Sequence, residues 1–376
     1  MNGEVTFRPL ADVVVAKAGN NKIIKGDQSL SYRAGLIQGF SASGPDVWVS
    51  TADYTQPGVV LSAVGARCGK TFAAEGAWTA IANTHVLLPS PSIDHRWLWY
   101  LTNNEAFWIR GGSAQPFVKV RETLQKRVFI PSLVEQRRIV AILDEAFEGI
   151  ATAKAHAERN LRNAWEVFES RLEQMFVDPD VVWRTEALDS IGVTQTGSTP
   201  KTSEPENYGA HMPFVKPGDF NRDGTIGYEN EGLSELGVRK ARLVAAGSAL
   251  MVCIGATIGK AGYTEREVTT NQQVNAWTPT GEIPGKFIYY QMISKDFQRR
   301  VREGAGQATL PIINKSKWSA LTVVVPQAPE DQNRIVEELD ALQADSMSLE
   351  DVYQRKLAAL DELKQSLLHQ AFSGQL

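Results

Sequence analysis

Two stretches of the sequence repeat each other in the same order, and that duplication commits the chain to a fold built twice. In the first half VVLSAVGARCGKT (59–71) is followed by NTHVLLP, GGSAQPFVKV (111–120) and IPSLVEQRRIVAILDE. In the second, ALMVCIGATIGKA (249–261) is followed by NQQVNAWTP, GAGQATLPII (304–313) and VPQAPEDQNRIVEELDA. Gly65, Gly69 and Lys70 match Gly255, Gly259 and Lys260 at an offset of 190, and Ile139-Val140 match Ile335-Val336 at 196. A few loop residues account for the drift. On this alignment Asn83-Thr84-His85 falls on Asn271-Gln272-Gln273, and Ser113-Ala114-Gln115 falls loosely on Gln307-Ala308-Thr309.

Each half ends in a segment of different character. From Val134 to about Phe176 there is no proline and one glycine, and apolar residues recur from Ile139 and Leu143 through Ile150, Ala157 and Ala164 to Phe168 and Leu172. Steps of three and four are the period of a helix with one apolar face. From Asp331 to about Phe372 the series Ile335, Leu339, Leu342, Leu349, Tyr353, Leu360, Leu363 and Leu367 repeats the pattern, again without Pro or Gly. At 1.5 Å per residue each helix is roughly 60 Å long, and a narrow stripe over that length is a coiled-coil signature. Each stripe must be buried, and the two most simply pack against each other, antiparallel.

Residues 1–129 and 179–325 hold nearly all the Pro and Gly and eight of the nine Trp, and mix β-branched runs such as VVWRTE and LTVVVP with the helical stretch FIYYQMISKDFQRRVRE. They read as mixed α/β globular domains. The expected fold class is α+β: two such domains separated by two long antiparallel coiled-coil helices at 130–178 and 326–376, with an internal pseudo-two-fold repeat. One uncharged run, LVAAGSALMVCIGATIG (243–259), is shorter than the ~20 residues of a membrane-crossing helix. Its glycines break it into strand-sized pieces. The two cysteines, Cys68 and Cys253, form no C-x-x-C pair and point to a reducing compartment. The opening MNGEVTFRPLADVVV lacks the basic-then-apolar start of a signal peptide, so a cytoplasmic chain is expected.

The net charge of −4 hides a partition. Residues 1–129 carry +4 and 179–325 carry +1, while the helical segments carry −3 and −6. A polyanion, if bound, belongs on the globular parts. The strongest basic cluster is Lys295, Arg299, Arg300 and Arg302, equally readable as a solvated helix face. GARCGKT (65–71) has three residues between its glycines where a Walker loop needs four, and GATIGKA lacks the magnesium-binding Ser/Thr. The better reading is a strand running into a glycine-permitted turn that presents Lys70 and Lys260, suited to a DNA phosphate or to plain solvation. The five histidines are scattered and neither cysteine is spaced from one as metal ligands are. No catalytic motif is present. The amide-rich loops around Asn83 and His85, Gln115, Gln272 and Gln273, and Thr309 are chemically suited to base edges, and are also ordinary turn formers.

These residues and their order resemble the DNA-specificity subunits of type I restriction-modification systems. TGSTPKTSEPENYGAHMPFVKPGDF (196–220) is similar to the Gly-x-Thr-Pro element and the Pro-Phe-x-Lys-Pro-Gly-Asp segment of that family's target-recognition domains. GSAQP, TLPIIN, the Pro-x-x-x-Glu-Gln-x-x-Ile-Val helix start at Pro131, Glu135, Gln136 and Ile139, and the ending SLLHQAFSGQL are similar too. The first half has no Gly-x-Thr-Pro element, reading FRPLADVVVAKAGNNKIIKGD there, and the second helix start is one residue longer after Pro326. The resemblance adds Lys119, Thr199, Lys201 and Lys216 as candidate DNA contacts. It implies a non-catalytic subunit, without cofactor, that reads a bipartite asymmetric sequence in double-stranded DNA. Two methyltransferase subunits using S-adenosylmethionine and restriction/translocase subunits using ATP and magnesium would join it, and the acidic helices are candidates for the methyltransferase-docking surface. No membrane partner is expected. A two-lobed scaffold binding proteins rather than DNA is the alternative.

Overall fold

The computed structural model describes residues 7–306 and 310–376. Both long helices are present, at Leu133–Met175 and Pro329–Ser373, the second starting on a proline that needs no amide partner in the first turn. The chain divides into two compact units whose boundaries fall between Ala157 and Glu158 and between Arg355 and Lys356. Both boundaries cut the long helices near their midpoints. By packing, each unit therefore owns a globular domain and half of each helix, where the sequence separated domains from helices.

In the first unit an antiparallel sheet runs in the order Val14–Ala18, Thr84–Pro89, Gly58–Ser62, Thr71–Ala74. A second sheet sets Ile37–Ser41 between Gly44–Val49, antiparallel, and Trp78–Ala80, parallel. Phe7–Pro9 pairs with Arg127–Phe129 just ahead of the long helix. The second unit repeats this. Gly192–Thr196, Val274–Pro279, Ser248–Val252 and Ala261–Thr264 form its main sheet, Tyr208–Val215 lies parallel to Val268–Thr270, and Trp183–Ala187 pairs with Thr322–Pro326. The uncharged run 243–259 is thus two short strands and a turn. Among the described residues no helix is long and apolar enough to cross a membrane.

The apolar stripes of the helices do more than meet each other. Ile139, Val140, Leu143 and Ala371 enter the first unit's core with Leu61, Leu87 and Trp97. Phe168, Leu172, Met175, Ile335 and Leu339 enter the second unit's core with Trp277, Phe287 and Trp318. Full burial of such a side chain contributes about 1.5–3 kcal/mol, so the helix ends are integral parts of the domains. Toward their midpoints the helices pair with each other. In the second unit Asn160 Nδ2 donates to the Tyr353 hydroxyl at 3.1 Å, Trp165 Nε1 to Glu350 at 2.8 Å, and Arg171 Nε to Glu338 at 2.7 Å. Rising numbers on one helix meet falling numbers on the other, so the pair is antiparallel. Ser346 Oγ donates to the Ala164 carbonyl at 3.1 Å, a contact that small residues permit.

A matched clamp fastens each helix half to its domain. In the first unit Asp144 accepts both guanidinium nitrogens of Arg96 at 2.7 Å and the Tyr100 hydroxyl at 2.6 Å. In the second, Asp340 accepts Lys286 at 2.8 Å and the Tyr290 hydroxyl at 2.5 Å. Burial, with the carboxylate beside it, raises the pKa of both phenols, so each stays a neutral donor. The glutamine of each helix start is also structural. Gln136 is fully buried, accepts the Asp94 amide at 2.7 Å, and donates to the carbonyls of Ser92 and Pro131; buried Gln332 donates to the Pro326 carbonyl at 3.2 Å.

Candidate nucleic-acid interface

Backbone hydrogen bonds gather the same four loops at one edge of the main sheet in each unit. In the first, the Gly19 amide meets the Thr84 carbonyl, Ala63 meets Asn83, and Gly65 meets Pro116. In the second, Gly197 meets Val274, Cys253 meets Gln273, and Gly255 meets Pro311. In the first unit each loop follows a strand; in the second the loop that carries Pro311 follows the helix Lys295–Ala305 instead, and the same crossings still decide which side chains stand together.

The glycine at the first crossing is required by space. A Cβ on Gly19 would stand 2.2 Å from Thr84 Oγ1 and 2.3 Å from the Ile81 carbonyl; one on Gly197 would stand 2.2 Å from the Asn271 carbonyl. Gly19-Asn20 therefore occupies the place of Gly197-Ser198, the latter heading the Gly-x-Thr-Pro element. The first unit has the same structural start although the Thr-Pro signature is missing.

The strand register corrects two sequence pairings. His85 stands opposite Leu61 as Asn275 stands opposite Met251, so Asn83 corresponds to Gln273 rather than to Asn271, and His85 to Asn275 rather than to Gln273. Pro116 and Pro311 are equivalent, which places Gln115 on Leu310 rather than on Thr309. Thr309 lies outside the described residues.

The turn 65–70 is built alike in both units. The amides of Gly65, Cys68, Gly69 and Lys70 are engaged by the carbonyls of Pro116, Gly65, Ser62 and Arg67. Those amides are not open to cradle a phosphate as a nucleotide-binding loop requires. What the turn presents is a lysine: Lys70 and Lys260 are both exposed, Lys260 with its Nζ 3.3 Å from the Phe220 carbonyl.

The amide side chains divide by environment. Asn83 is exposed and the one described non-glycine residue with positive φ, +66°, a conformation asparagine tolerates. His85 is half-buried with no partner on Nδ1, and burial lowers its pKa below the usual imidazole value. Gln272 is exposed and accepts from Thr199 Oγ1. Gln273 is tied to Asn271, accepting its Nδ2 at 2.9 Å. Gln115 is exposed.

Most of the other candidate bases have internal partners. Lys119 faces Glu122 at 3.2 Å, Lys201 faces Glu204 at 3.5 Å, and Lys216 pairs with Glu231 and lies over the Phe214 ring. The Lys216 amide also donates to Asp219 at 2.7 Å, so the Lys-Pro-Gly-Asp segment is a closed turn. Arg299 sits between Asp296 and Glu303, at 2.6 and 2.8 Å, and holds the Asp296 carboxyl below the usual carboxylate range. Arg300 donates to the Thr322 carbonyl at 2.7 Å and lies 3.0 Å from Asp296. The apparent basic cluster is thus largely neutralised on its own helix, Lys295–Ala305, leaving Arg302 as its arginine without an ion-pair partner among the described residues. No group of three His, Cys, Asp or Glu suited to a metal occurs among the described residues. Burial pushes the Cys253 thiol up to about 12, far from a reactive thiolate.

Asn20 and Arg67 were missed by sequence reasoning. The Asn20 amide meets the Ala80 carbonyl as Ser198 meets Thr270, and its side chain donates to Asp53 at 3.0 Å. Arg67 reaches from the lysine turn to the Ser43 carbonyl at 3.3 Å. Only the offset of the framework, applied to Gly197 and Ser198, points to the first.

A small α/β domain carrying clustered polar loops, occurring twice and fused each time to halves of the same two helices, defines a class of duplicated, helix-linked proteins. Residues 181–357 match the family model described as the type I restriction modification DNA specificity domain. The chain is 30% identical over 148 residues to the HindI specificity subunit of Haemophilus influenzae, a match covering 38% of this chain and 32% of that protein. It is 29% identical over 230 residues to the EcoR124I/EcoR124II specificity subunit of Escherichia coli, covering 57% of this chain and 55% of that one. The matches thus span between a third and about half of these relatives' lengths. The fold is shared over the whole chain with a solved protein of a type I R-M system, described for its complex assembly and conformational transition, at TM-score 0.76 and 16% identity, with 100% and 99% of the two chains covered. It is also shared with the HsdS subunit of Thermoanaerobacter tengcongensis, at TM-score 0.61 and 16% identity, covering 100% and 98%. The family resemblance carried by the sequence motifs is upheld.

Proposed function

We propose that the chain is the non-catalytic, cytoplasmic DNA-reading subunit of a type I restriction-modification complex, with each globular domain reading one half of a bipartite, asymmetric target. The observation that carries this reading is the register-matched duplication of the loop edge: the same framework positions hold a lysine turn and a polar loop in both units, while the side chains on them differ. Two equal frameworks with unequal readers suit a target whose halves differ in sequence. The helices would set the gap between halves, as domain spacing fixes half-site separation in other DNA readers. Two methyltransferase subunits, binding S-adenosylmethionine, would flip and methylate an adenine in each half. Restriction/translocase subunits would supply ATP-driven cleavage. The helix-borne Glu and Asp that face solvent, such as Glu145, Glu148 and Glu166, suit docking of a partner with a basic surface.

A salt titration of duplex binding by the reconstituted complex tests the reading. Phosphate contact makes affinity fall steeply with salt, with a log–log slope of about −0.9 per phosphate neutralised. A flat profile would favour a scaffold that binds proteins. Lengthening the helix Leu133–Met175 by one turn, about 5.4 Å, is expected to widen the tolerated gap in methylated sites. An unchanged gap would remove the spacer role.

A further inference from the structure

The loop 20–36 of the first unit carries an exposed apolar and aromatic surface that its own fold leaves uncovered. Ile24, Leu30 and Tyr32 are 57%, 71% and 64% exposed, and no described Phe or Trp is as exposed as Tyr32. The corresponding stretch of the second unit, 198–207, is shorter and has no large exposed hydrophobic residue. The tract is nevertheless fixed. Ile23 packs against Val47, Val49 and Ile81, and its carbonyl accepts the Ala82 amide, next to Asn83 of the candidate interface. Ser29 bridges to Trp48, and the Tyr32 ring stands edge-on to Trp48 at 4.9 Å.

Charge complementarity identifies the occupant. Lys22, Lys25 and Arg33 are interleaved with the apolar residues, against a single Asp27. Lys25 is paired with Asp46, while Lys22 and Arg33 are exposed and enter no ion pair among the described residues. A protein-binding patch is typically depleted of lysine at its centre; an aromatic and aliphatic tip flanked by free bases suits nucleic acid, whose bases accept apolar contact and whose phosphates accept the cations. We propose that 20–36 is a specificity-determining tract: Tyr32 and Leu30 contact bases of the half-site read by the first unit, and Lys22 and Arg33 seat the adjoining phosphates. This rests on the DNA-reading function above.

The test uses the full chain assembled with its methyltransferase subunits and a duplex carrying the methylated sequence mapped in cells. Tyr32→Ala and Leu30→Ala are expected to weaken binding to that duplex by roughly 10- to 100-fold, the scale of losing a base contact with an aromatic side chain. Binding to a scrambled duplex should stay the same, and base preference should relax in one half-site only. Tyr32→Phe, which keeps the ring against Trp48, should retain affinity within a few-fold. Variants that lose both duplexes equally, relax both half-sites, or keep DNA binding but fail to hold the methyltransferase overturn the tract's role while leaving the DNA-reading function standing. A wild-type complex that binds neither duplex overturns that function, and the tract's role with it.

Discussion

The two units share a framework and differ in where they add chain. The first adds it between Gly19 and the strand Ile37–Ser41, and the addition faces solvent with Leu30 and Tyr32 uncovered. The second adds it between Tyr208–Val215 and Gly232–Leu233, where the first has only the tight connection between Ile37–Ser41 and Gly44–Val49. That insertion folds back on the unit's own helices. Arg222 lies 4.2 Å over the Trp165 ring and 3.2 Å from Glu350, and Gln343 donates to the Asp223 carbonyl at 3.0 Å. Tyr289 closes beneath, its phenol pushed up to about 12 by burial. One unit uses its extra residues for exposed surface, the other for grip on its helix segments. The framework is held constant by close packing, and variation is admitted only at connections that the packing does not constrain.

The largest effects should come from breaking what the units have in common. Gly197→Ala and Gly19→Ala each push a Cβ into backbone or hydroxyl oxygen and are expected to destabilise the affected unit by about 3 kcal/mol. Gly26→Ala, in open space, should change stability by less than about 0.5 kcal/mol. Hydrogen exchange, resolved by unit, separates the cases; equal tolerance of all three would mean the two crossings are not as tight as their geometry.

Removal of the clamp carboxylates sharpens the comparison. Asp144→Ala and Asp340→Ala should each cost about 1–3 kcal/mol, discounted because both carboxylates are about a third exposed. Asp144 should be the more costly. Its loss strands the Tyr100 hydroxyl and a bidentate arginine, whereas Tyr290 retains Gln343 Oε1 at 3.2 Å. Denaturant unfolding of the two variants gives the order, and the reverse order would contradict the hydrogen-bond assignment.

His85 introduces a pH dependence that its counterpart Asn275 cannot have. Its folded-state pKa lies below 6.5 because burial disfavours the imidazolium. The unfolded chain therefore protonates first as pH falls. Stability contributed by the neutral ring is complete above the unfolded value and is lost as pH drops from about 6.5 through the folded pKa. His85→Asn should flatten that slope between pH 7 and 5 in the first unit; an unaltered slope would assign it elsewhere. The smallest effect is expected of the turn lysines. Lys70→Ala should reduce the salt dependence of DNA binding by about one phosphate, and Lys260→Ala by less, because its ammonium already has a carbonyl partner.

The duplication and both helices were legible in the sequence because Gly-x-x-x-Gly-Lys turns and long apolar periods survive side-chain variation. The start of the first unit was not: Gly19-Asn20 shares with Gly197-Ser198 a backbone crossing and only one residue type. The two-residue slip at Asn83 arose because an asparagine precedes the strand in both halves, at Asn83 and Asn271, and only the ladder tells them apart. The clamp had a readable signal, since Arg96 and Tyr100 recur as Lys286 and Tyr290 at the offset of 190 and Asp144 recurs as Asp340 at 196. The neutralisation of Arg299 was readable as well, from acids at three residues before and four after. The uncovered side chains of 20–36 were not readable, because exposure of Tyr32 depends on where Trp48 stands.

The most direct measurement is an exchange of residues 1–129 for another recognition domain that keeps a basic residue and a tyrosine at the Arg96 and Tyr100 positions, so that Asp144 remains paired. Methylated adenines are then mapped in DNA from cells carrying the intact system. One half of the methylated sequence should change while the other half and the gap between them stay as they were. Change in both halves, or in neither, would contradict the assignment of one unit to one half.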